Sequence, residues 1–462
     1  MRNIITTVRF FFKRRFDSIP NRKVRRDLLN ALPYWSGAFI AGVVAVVYAK
    51  LFALAEEGTH FLFERANWMF FVVTPVGFLL AAWMVAKYSP YARGSGIPQV
   101  SAAIELSNPK HHYKVGSLLS IKMIIVKIVS SLIMVFSGGI IGREGPTIQI
   151  SAAIFKKIND NLPAWYPKIS KRNMVVTGAA AGLAAAFNTP LGGIVFAIEE
   201  LTKTHFSFFK SALLTGVIIA GLTALNFLGP YLYLGYPHLG EVSFGLILII
   251  IPLAVATSAI GTWMCNAILY IFKVKSAFPK SYHKYVYVAI CGLLIAASAT
   301  FIDARTFGSG KEIMVAALFT DHKQIEWYIP LLKIFGSILS FTTGGAGGVF
   351  APSLTAGASI GGLVAGWLHL SATSTNLLVL CGMTGFLTSV TRSPFTSSIL
   401  VLEMTDTHDV IFYIMLTALF ANLIANLLSR HSFYDQLKHQ YIHEIHHKEN
   451  QDNSVEGLKL KV

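Results

Sequence analysis

Charged residues are scarce in this chain. Asp, Glu, Lys and Arg make up only 13% of its 462 residues, whereas soluble globular proteins carry roughly 25% charged residues. Hydrophobic residues reach 54% and lie in long runs, and a membrane-spanning helix needs about 20 such residues. Membrane β-barrels are excluded, because their strands alternate apolar and polar residues in segments of about ten. The chain is therefore predicted to be an all-α polytopic membrane protein.

Cysteines and metal-ligand motifs are also scarce. Neither a membrane-depth Ser/His pair nor a metal-ligand spacing is found in the apolar runs, so an intramembrane enzyme is not favoured and no cofactor is predicted. All three cysteines lie in apolar runs and are expected to be buried thiols: Cys265, Cys291 and Cys381. One histidine cluster lies in the polar C-terminal tail: His439, His443, His446 and His447. Its spacing could place His439, His443 and either His446 or His447 on one helical face. A solvated tail is the favoured interpretation, and a metal titration would separate the two.

Acidic residues are few near the N-terminus. Residues 1–30 hold nine lysines and arginines against Asp17 and Asp27 only, and the whole chain has a formal charge of +16. A basic segment ahead of the first span is typical of a cytoplasmic anchor. Its apolar run is short and broken by arginines, which argues against a signal peptide. We therefore expect an integral membrane protein with a cytoplasmic N-terminus. Nucleic-acid binding is not predicted, because no binding motif accompanies the charge.

The second half of the sequence repeats features of the first. Gly142 and Pro146 match Gly348 and Pro352 at an offset of 206 residues, and Pro190 matches Pro394 at an offset of 204. Upstream, the motif at 94–96 matches 308–310 at an offset of 214. The predicted organisation is a basic segment (1–30), a first membrane repeat (31–228), a linker (229–241), a second repeat (242–428) and a polar cytoplasmic tail (429–462).

Duplicated halves with glycine- and proline-interrupted segments are typical of secondary transporters and channels, whose substrate site lies near the bilayer midplane. An odd number of crossings in each half would invert the second half. The repeat also matches Lys127 with Lys333, each of them within an apolar helix. These lysines could supply a positive field or pair with a helix C-terminus, and the sequence leaves both roles open.

Three interrupted segments combine glycine with a proline that suits the first turn of a helix. Each would present free backbone N–H groups and the positive end of a helix dipole, which together favour an anion. Close helix packing through small residues is the alternative. The segments are Gly94-Ser95-Gly96-Ile97-Pro98, Gly142-Arg143-Glu144-Gly145-Pro146 and Gly347-Gly348-Val349-Phe350-Ala351-Pro352.

Acidic residues at membrane depth are costly and usually functional. Glu144 would begin a helix, where its carboxylate competes with an anion for the same position and would leave that position when protonated. Glu199 and Glu403 occupy equivalent repeat positions, which predicts a capping or interface role. Glu200 has no acidic counterpart, because Met404 takes its place. This asymmetry makes Glu200 the better candidate for a functional group, although it could also end a helix in water.

Together with FNTPLGGIVFAIEE at 187–200, the three motifs resemble the CLC family of chloride channels and transporters over residues 34–434. The resemblance implies a homodimer with inverted halves and an anion pathway in each subunit. It implies that Ser95 and Tyr434 bind chloride and that Val349 and Phe350 contribute backbone amides. It also implies that Glu144 is the external gate and Glu200 the internal proton-transfer group.

The resemblance further implies exchange of chloride for protons, because channels of the family lack the internal glutamate. Ser95 favours chloride over nitrate, since nitrate-selective members carry proline there. An uncoupled chloride channel of the same family is the alternative. A cation-coupled carrier of organic solutes is a third hypothesis, which independence from sodium and block by small anions would exclude.

Overall fold

The computed structural model describes residues 20–459, except 109–111, 203–209, 230–232, 241–242, 321–322 and 324. Most of the predicted basic segment, residues 1–19, and parts of the predicted linker lie outside the described residues. The described chain is helical and has no β-strand beyond two isolated bridges, so the predicted fold class is confirmed. Seven helical segments in the described residues are long and apolar enough to cross a membrane.

The helices of the first half fall into long spans and short interrupted pieces. Ser120 caps one of them, since its hydroxyl accepts a hydrogen bond from the amide of Met123, which satisfies a donor that the first helical turn leaves open. The helices are α1 (Arg22–Ala66), α2 (Phe70–Tyr88), α3 (Ile97–Glu105), α4 (Val115–Leu118), α5 (Ile121–Phe136), α6 (Glu144–Asp160), α7 (Lys171–Phe187), α8 (Pro190–Phe196) and α9 (Lys210–Leu228).

The helices of the second half follow a similar order and are succeeded by a C-terminal helix. A π-helical turn, Ala197–Thr202, extends α8, whereas its counterpart in the second half is an uninterrupted α-helix. The helices are α10 (Ile247–Ser276), α11 (Ser281–Phe301), α12 (Lys311–Phe319), α13 (Tyr328–Thr342), α14 (Phe350–Trp367), α15 (Ala372–Thr391), α16 (Pro394–Thr405), α17 (Ile411–Leu428) and α18 (Phe433–Lys459).

Equivalent residues of the two halves meet at a local two-fold axis. Gly142 and Gly348 form an antiparallel bridge in which each amide donates to the other carbonyl at 2.8 Å. Helices α7 and α15 end in the same way, with Asn188 and Arg392 at φ of 58° and 60°. The duplication read from the sequence is therefore a structural duplication, while its residue boundaries stay a prediction.

The buried centre consists of close-packed helix pairs, α6 on α7 and α14 on α15. A Cβ atom added to Gly357 would lie 2.2 Å from the carbonyl oxygen of Gly382, so only glycine permits this approach of α14 to α15. Small residues bring membrane helices together in this way. The three cysteines are free and buried, as predicted.

Helix α1 begins at Arg22, so the last part of the predicted basic segment is helical. One expectation about the C-terminal segment is corrected. The C-terminal segment is not a solvated tail over its first part. In α18 an apolar stripe is buried and the helix packs on α3, because Tyr434, Leu437 and Tyr441 recur on one helical face.

The tail histidines do not form a metal cluster among the described residues. His439, His443 and His447 are exposed. The ring of His446 instead lies 3.0 Å from the ammonium nitrogen of Lys114.

Candidate functional site

All three interrupted segments begin helices where the sequence predicts them. Helix α3 begins at Ile97, α6 at Glu144 and α14 at Phe350. The first amides of a helix have no intrahelical acceptor. Each helix therefore brings free donors and a positive dipole end to the centre of the molecule.

The three helix starts lie against one another. A Cβ atom on Gly145 would be 2.2 Å from the Ser95 hydroxyl oxygen, and a Cβ atom on Gly348 would be 3.5 Å from the Gly145 amide nitrogen. Gly96 has a φ of 111°, and an added Cβ would lie 2.8 Å from the Gly145 carbonyl oxygen. Glycine is required here because the backbone is left-handed and the neighbouring backbone leaves no room. The motifs from both halves thus form one site.

Further backbone hydrogen bonds hold the first segment in place. Gly94 donates to the Gly345 carbonyl at 2.8 Å and accepts from the Gly347 amide at 3.1 Å. The Lys127 ammonium donates to the Gly94 carbonyl at 2.8 Å. A buried lysine side chain therefore contacts the residue before Ser95.

The repeat-related lysine makes similar contacts. The Lys333 ammonium donates to the carbonyls of Thr306 and Phe307 at 3.0 and 2.9 Å, next to the second glycine-serine motif at 308–310. Both lysines thus bind backbone carbonyls beside matched motifs. Lys333 binds the C-terminus of the short 3-10 helix Ala304–Thr306, as one of the two interpretations proposed, whereas Lys127 binds a loop carbonyl.

Buried polar groups at this centre have few partners in the protein. The Ser95 and Tyr434 hydroxyls are buried and lie close enough to interact with each other, and neither makes a further hydrogen bond to the described residues. The Glu144 carboxylate is also buried, and it interacts with the backbone amides of Glu144 and Ala351. Buried polar groups are normally satisfied, so hydroxyls with spare hydrogen-bonding capacity beside three helix starts are suited to a polar ligand.

The Glu144 carboxylate lies close to the start of α14. A Cβ atom on Gly142 would be 2.3 Å from the Glu144 Oε2 atom and 3.2 Å from the Ala351 amide nitrogen. The carboxylate is therefore turned inward, close to the first turn of α14. Phe350 is fully buried, and its ring centroid lies 5.4 Å from that of Phe187.

The adjacent acids Glu199 and Glu200 have different surroundings. Glu199 accepts hydrogen bonds from the amides of Phe395 and Thr396 at the start of α16. Glu200 is buried and accepts a hydrogen bond from the Ser393 hydroxyl at 2.9 Å. The π-helical turn that contains both acids is a feature often found at functional sites.

The second half repeats the helix-capping arrangement of Glu199 but not the buried acid Glu200. Glu403 accepts hydrogen bonds from the amides of Leu191 and Gly192 at the start of α8. The predicted capping role of the matched pair Glu199 and Glu403 is thus confirmed, and it is reciprocal. Met404 is buried at the position equivalent to Glu200.

Two glutamines at the site have no role in the sequence-based prediction. The Gln99 side-chain amide donates to the Arg93 carbonyl at 2.7 Å and lies 3.1 Å from the Tyr441 hydroxyl. The Gln149 amide donates to the carbonyls of Tyr91 and Leu118. These hydrogen bonds connect α3 and α6 to the segment between α2 and α3, and the Gln99 contact with Tyr441 also connects α3 to α18. Their signal in the sequence is a polar amide within an otherwise apolar helix.

Interrupted helices from two related halves that meet at a buried polar centre define a repeat-built membrane transporter or channel. Residues 77–426 match the family model described as "Voltage gated chloride channel". The chain therefore belongs to this family, the CLC family.

Named relatives and solved structures agree with this assignment. The chain is 27% identical over 424 residues, 86% of this chain and 85% of the relative, to the H(+)/Cl(-) exchange transporter ClcA of Salmonella paratyphi B. Its fold is similar to that of a slow cyanobacterial Cl-/H+ antiporter, with a TM-score of 0.79 and 21% identity, covering 90% of this chain and 98% of the other. A eukaryotic CLC transporter gives a TM-score of 0.70 at 20% identity, with 89% and 74% covered.

Proposed function

We propose that this integral membrane protein is a secondary active transporter that exchanges chloride for protons. The observation that carries the proposal is the convergence of three helix starts on the buried hydroxyls of Ser95 and Tyr434. Helix dipoles supply about half a positive charge at each N-terminus. Several partial charges attract a small anion without a direct ion pair, so the anion can leave again. The relatives named as H(+)/Cl(-) exchange transporters support the same ions.

In this proposal chloride approaches past the hydroxyls of Ser95 and Tyr434 and then reaches the amides of Val349 and Phe350. The inward carboxylate of Glu144 occupies the outer anion position while it is deprotonated. When Glu144 takes up a proton, its attraction to the helix starts falls and chloride can replace it. The competition for one position couples proton binding to anion movement.

Glu200 is proposed as the proton-transfer group on the other side of the site. It is a buried acid that the second repeat replaces with methionine, so the repeat architecture itself does not require it. Buried Phe187 and Phe350 make contact, and protons would need transient water to pass such an apolar region.

The experiment measures chloride efflux from liposomes that contain the purified protein, with external pH recorded at the same time. Chloride efflux with proportional proton uptake, driven uphill by a chloride gradient, is expected. Glu200→Gln should keep the chloride flux and lose the proton movement. Glu199→Gln is the matched control, because it removes the same charge from the neighbouring residue, whose carboxylate caps α16. In this variant chloride efflux should stay coupled to proton uptake.

An uncoupled chloride channel is the second candidate, and a gating glutamate is compatible with it. Chloride efflux without any pH change in the unsubstituted protein would establish the channel and contradict the exchange proposal. In that case Glu200 would be a structural acid at the end of α8.

We also propose a homodimer, which the resemblance to the family implies. Helix α8 has only 7 residues and cannot span the membrane. The carboxylates that cap α8 and α16 lie at half-buried positions, beside Leu191 and Phe395, which are 55% and 51% exposed. Carboxylates and helix ends facing lipid are costly, so cover by a second copy is favoured. Cross-linking in native membranes would test this dimer.

The proposed orientation places both termini in the cytoplasm of a bacterium. The end of α2, the α10–α11 connection and α18 lie together, and they bring Arg93, Lys275 and Lys284 to one side of the molecule. Lysine and arginine are enriched on the cytoplasmic side of membrane proteins. Labelling of single cysteines on α18 in intact cells and in inverted vesicles would test this orientation.

A further inference from the structure

A cavity of about 520 Å³ lies beside the site and includes neither Ser95 nor Tyr434. It is lined by the end of α2, the end of α10, the start of α11 and α18. Its walls carry apolar and cationic side chains and one carboxylate: Val85, Val288, Arg93, Lys275, Lys284 and Glu444. The chloride-exchange mechanism described above does not use it.

The cavity has a surplus of positive charge. Arg93 forms a bidentate ion pair with Glu444, with nitrogen–oxygen distances of 2.6 and 2.8 Å. The Lys275 ammonium is fixed by the Thr343 carbonyl at 2.8 Å and faces no carboxylate among the described residues. Lys284 is exposed and forms no ion pair within the described part of the chain. Two cations are therefore left without a compensating anion.

The rim of the cavity lies at the edge of the lipid-facing surface. Ala86 and Tyr285 line it and are exposed, and Trp83 lies one helical turn before Ala86 with 39% of its surface exposed. The Lys87 ammonium lies 4.8 Å above the Trp83 ring, near the end of α2. Exposed tryptophan and tyrosine with lysine at helix ends are typical of the membrane–water interface.

We propose that this cavity binds the phosphate headgroup of an anionic phospholipid. Lys275 and Lys284 would bind the phosphate, and the acyl chains would lie on the exposed apolar faces of α2 and α11. Basic pockets between membrane helices at this depth suit acidic headgroups. A soluble phosphate has the same charge, but it would leave the apolar wall and the lipid-facing rim without a function.

The test is native mass spectrometry of the full-length protein in detergent, supplied with equal amounts of phosphatidylglycerol and phosphatidylcholine. The unsubstituted protein should retain phosphatidylglycerol preferentially. Lys284→Gln should weaken that retention about fivefold, equivalent to about 1 kcal/mol for one lysine near a lipid headgroup. Lys273→Gln is the matched control, because Lys273 is also exposed in the last turn of α10 but does not line the cavity. It should retain the lipid normally.

Three outcomes would contradict the proposal. The two lipids could be retained equally, Lys284→Gln and Lys273→Gln could behave alike, or inorganic phosphate at the lipid's concentration could displace phosphatidylglycerol. The last result would identify a site for free anions. Thermal unfolding of both variants in detergent shows whether they are folded, and Lys284 is exposed, so its substitution should leave the fold intact.

Discussion

Alanine at Gly145 should close the inner part of the anion site and leave the fold intact. The added Cβ would lie 2.2 Å from the Ser95 hydroxyl oxygen and 2.9 Å from the Ser95 carbonyl oxygen. The Ser95 hydroxyl must therefore turn away or its loop must shift. Gly145 belongs to helix α6, where alanine is favoured over glycine by about 1 kcal/mol. The substitution is thus unfavourable at the site and favourable for the helix.

The expected loss of chloride affinity follows from the steric overlap between the added methyl group and Ser95. Forcing an extra methyl group into a well-packed interior costs about 1–3 kcal/mol. The Ser95 hydroxyl must overcome this cost in order to face the anion. Chloride should therefore bind roughly 5- to 150-fold more weakly, since each 1.4 kcal/mol of binding free energy changes the Kd about tenfold. Isothermal titration of chloride into the purified protein measures the affinity, and liposome efflux measures the flux.

The control and the refuting result are both defined by the structure. Gly366→Ala makes the same change within α14, where an added Cβ has nothing within 4 Å, and it should bind chloride normally. Ser95→Ala removes the hydroxyl directly, so its effect should not add to that of Gly145→Ala, because both act on one contact. A folded Gly145→Ala protein with unchanged chloride affinity would refute the assignment of Ser95.

Two further predictions concern stability. Glu403→Gln should lower the thermal unfolding temperature, because its carboxylate caps the Leu191 and Gly192 amides and the loss of a helix cap costs about 1 kcal/mol; an unchanged temperature would contradict this role. Burial raises the pKa of Asp303, but hydrogen bonds from Arg305 outweigh it and lower the pKa below its ordinary value. The ion pair therefore stabilises the fold above the unfolded-state pKa of about 4 and is lost as pH falls through the lowered value. Asp303→Asn should be less stable at pH 7, with a difference that shrinks at acidic pH in thermal unfolding scans.

Local chemistry made much of the site predictable. Glycine followed by proline marked the starts of α3, α6 and α14, because proline fits the first helical turn and glycine permits close backbone contact. The duplication predicted that Glu199 and Glu403 would have the same role, since equivalent positions in repeated halves have equivalent neighbours. It also distinguished Glu200, whose counterpart is methionine.

Contacts between distant segments could not be read from the sequence in the same way. Three contacts join residues far apart in the chain. Gly94 pairs with the strand-like segment 345–347, the inward carboxylate of Glu144 lies near the start of α14, and the Gln99 amide contacts the Tyr441 hydroxyl. Their formation depends on how the helices pack, and no local pattern encodes it.

The chain by itself determined a duplicated helical membrane protein with anion-attracting helix starts, because apolar runs, glycine, proline and repeated motifs act locally. Only the tertiary structure decided that the C-terminal segment is a packed helix instead of a solvated tail. Its polar composition predicts exposure, but Phe433, Tyr434 and Tyr441 form a buried stripe once α3 supplies a surface for them. The same packing brings the Tyr434 hydroxyl to Ser95, so segments from the first and second halves and from the C-terminal helix meet at one site.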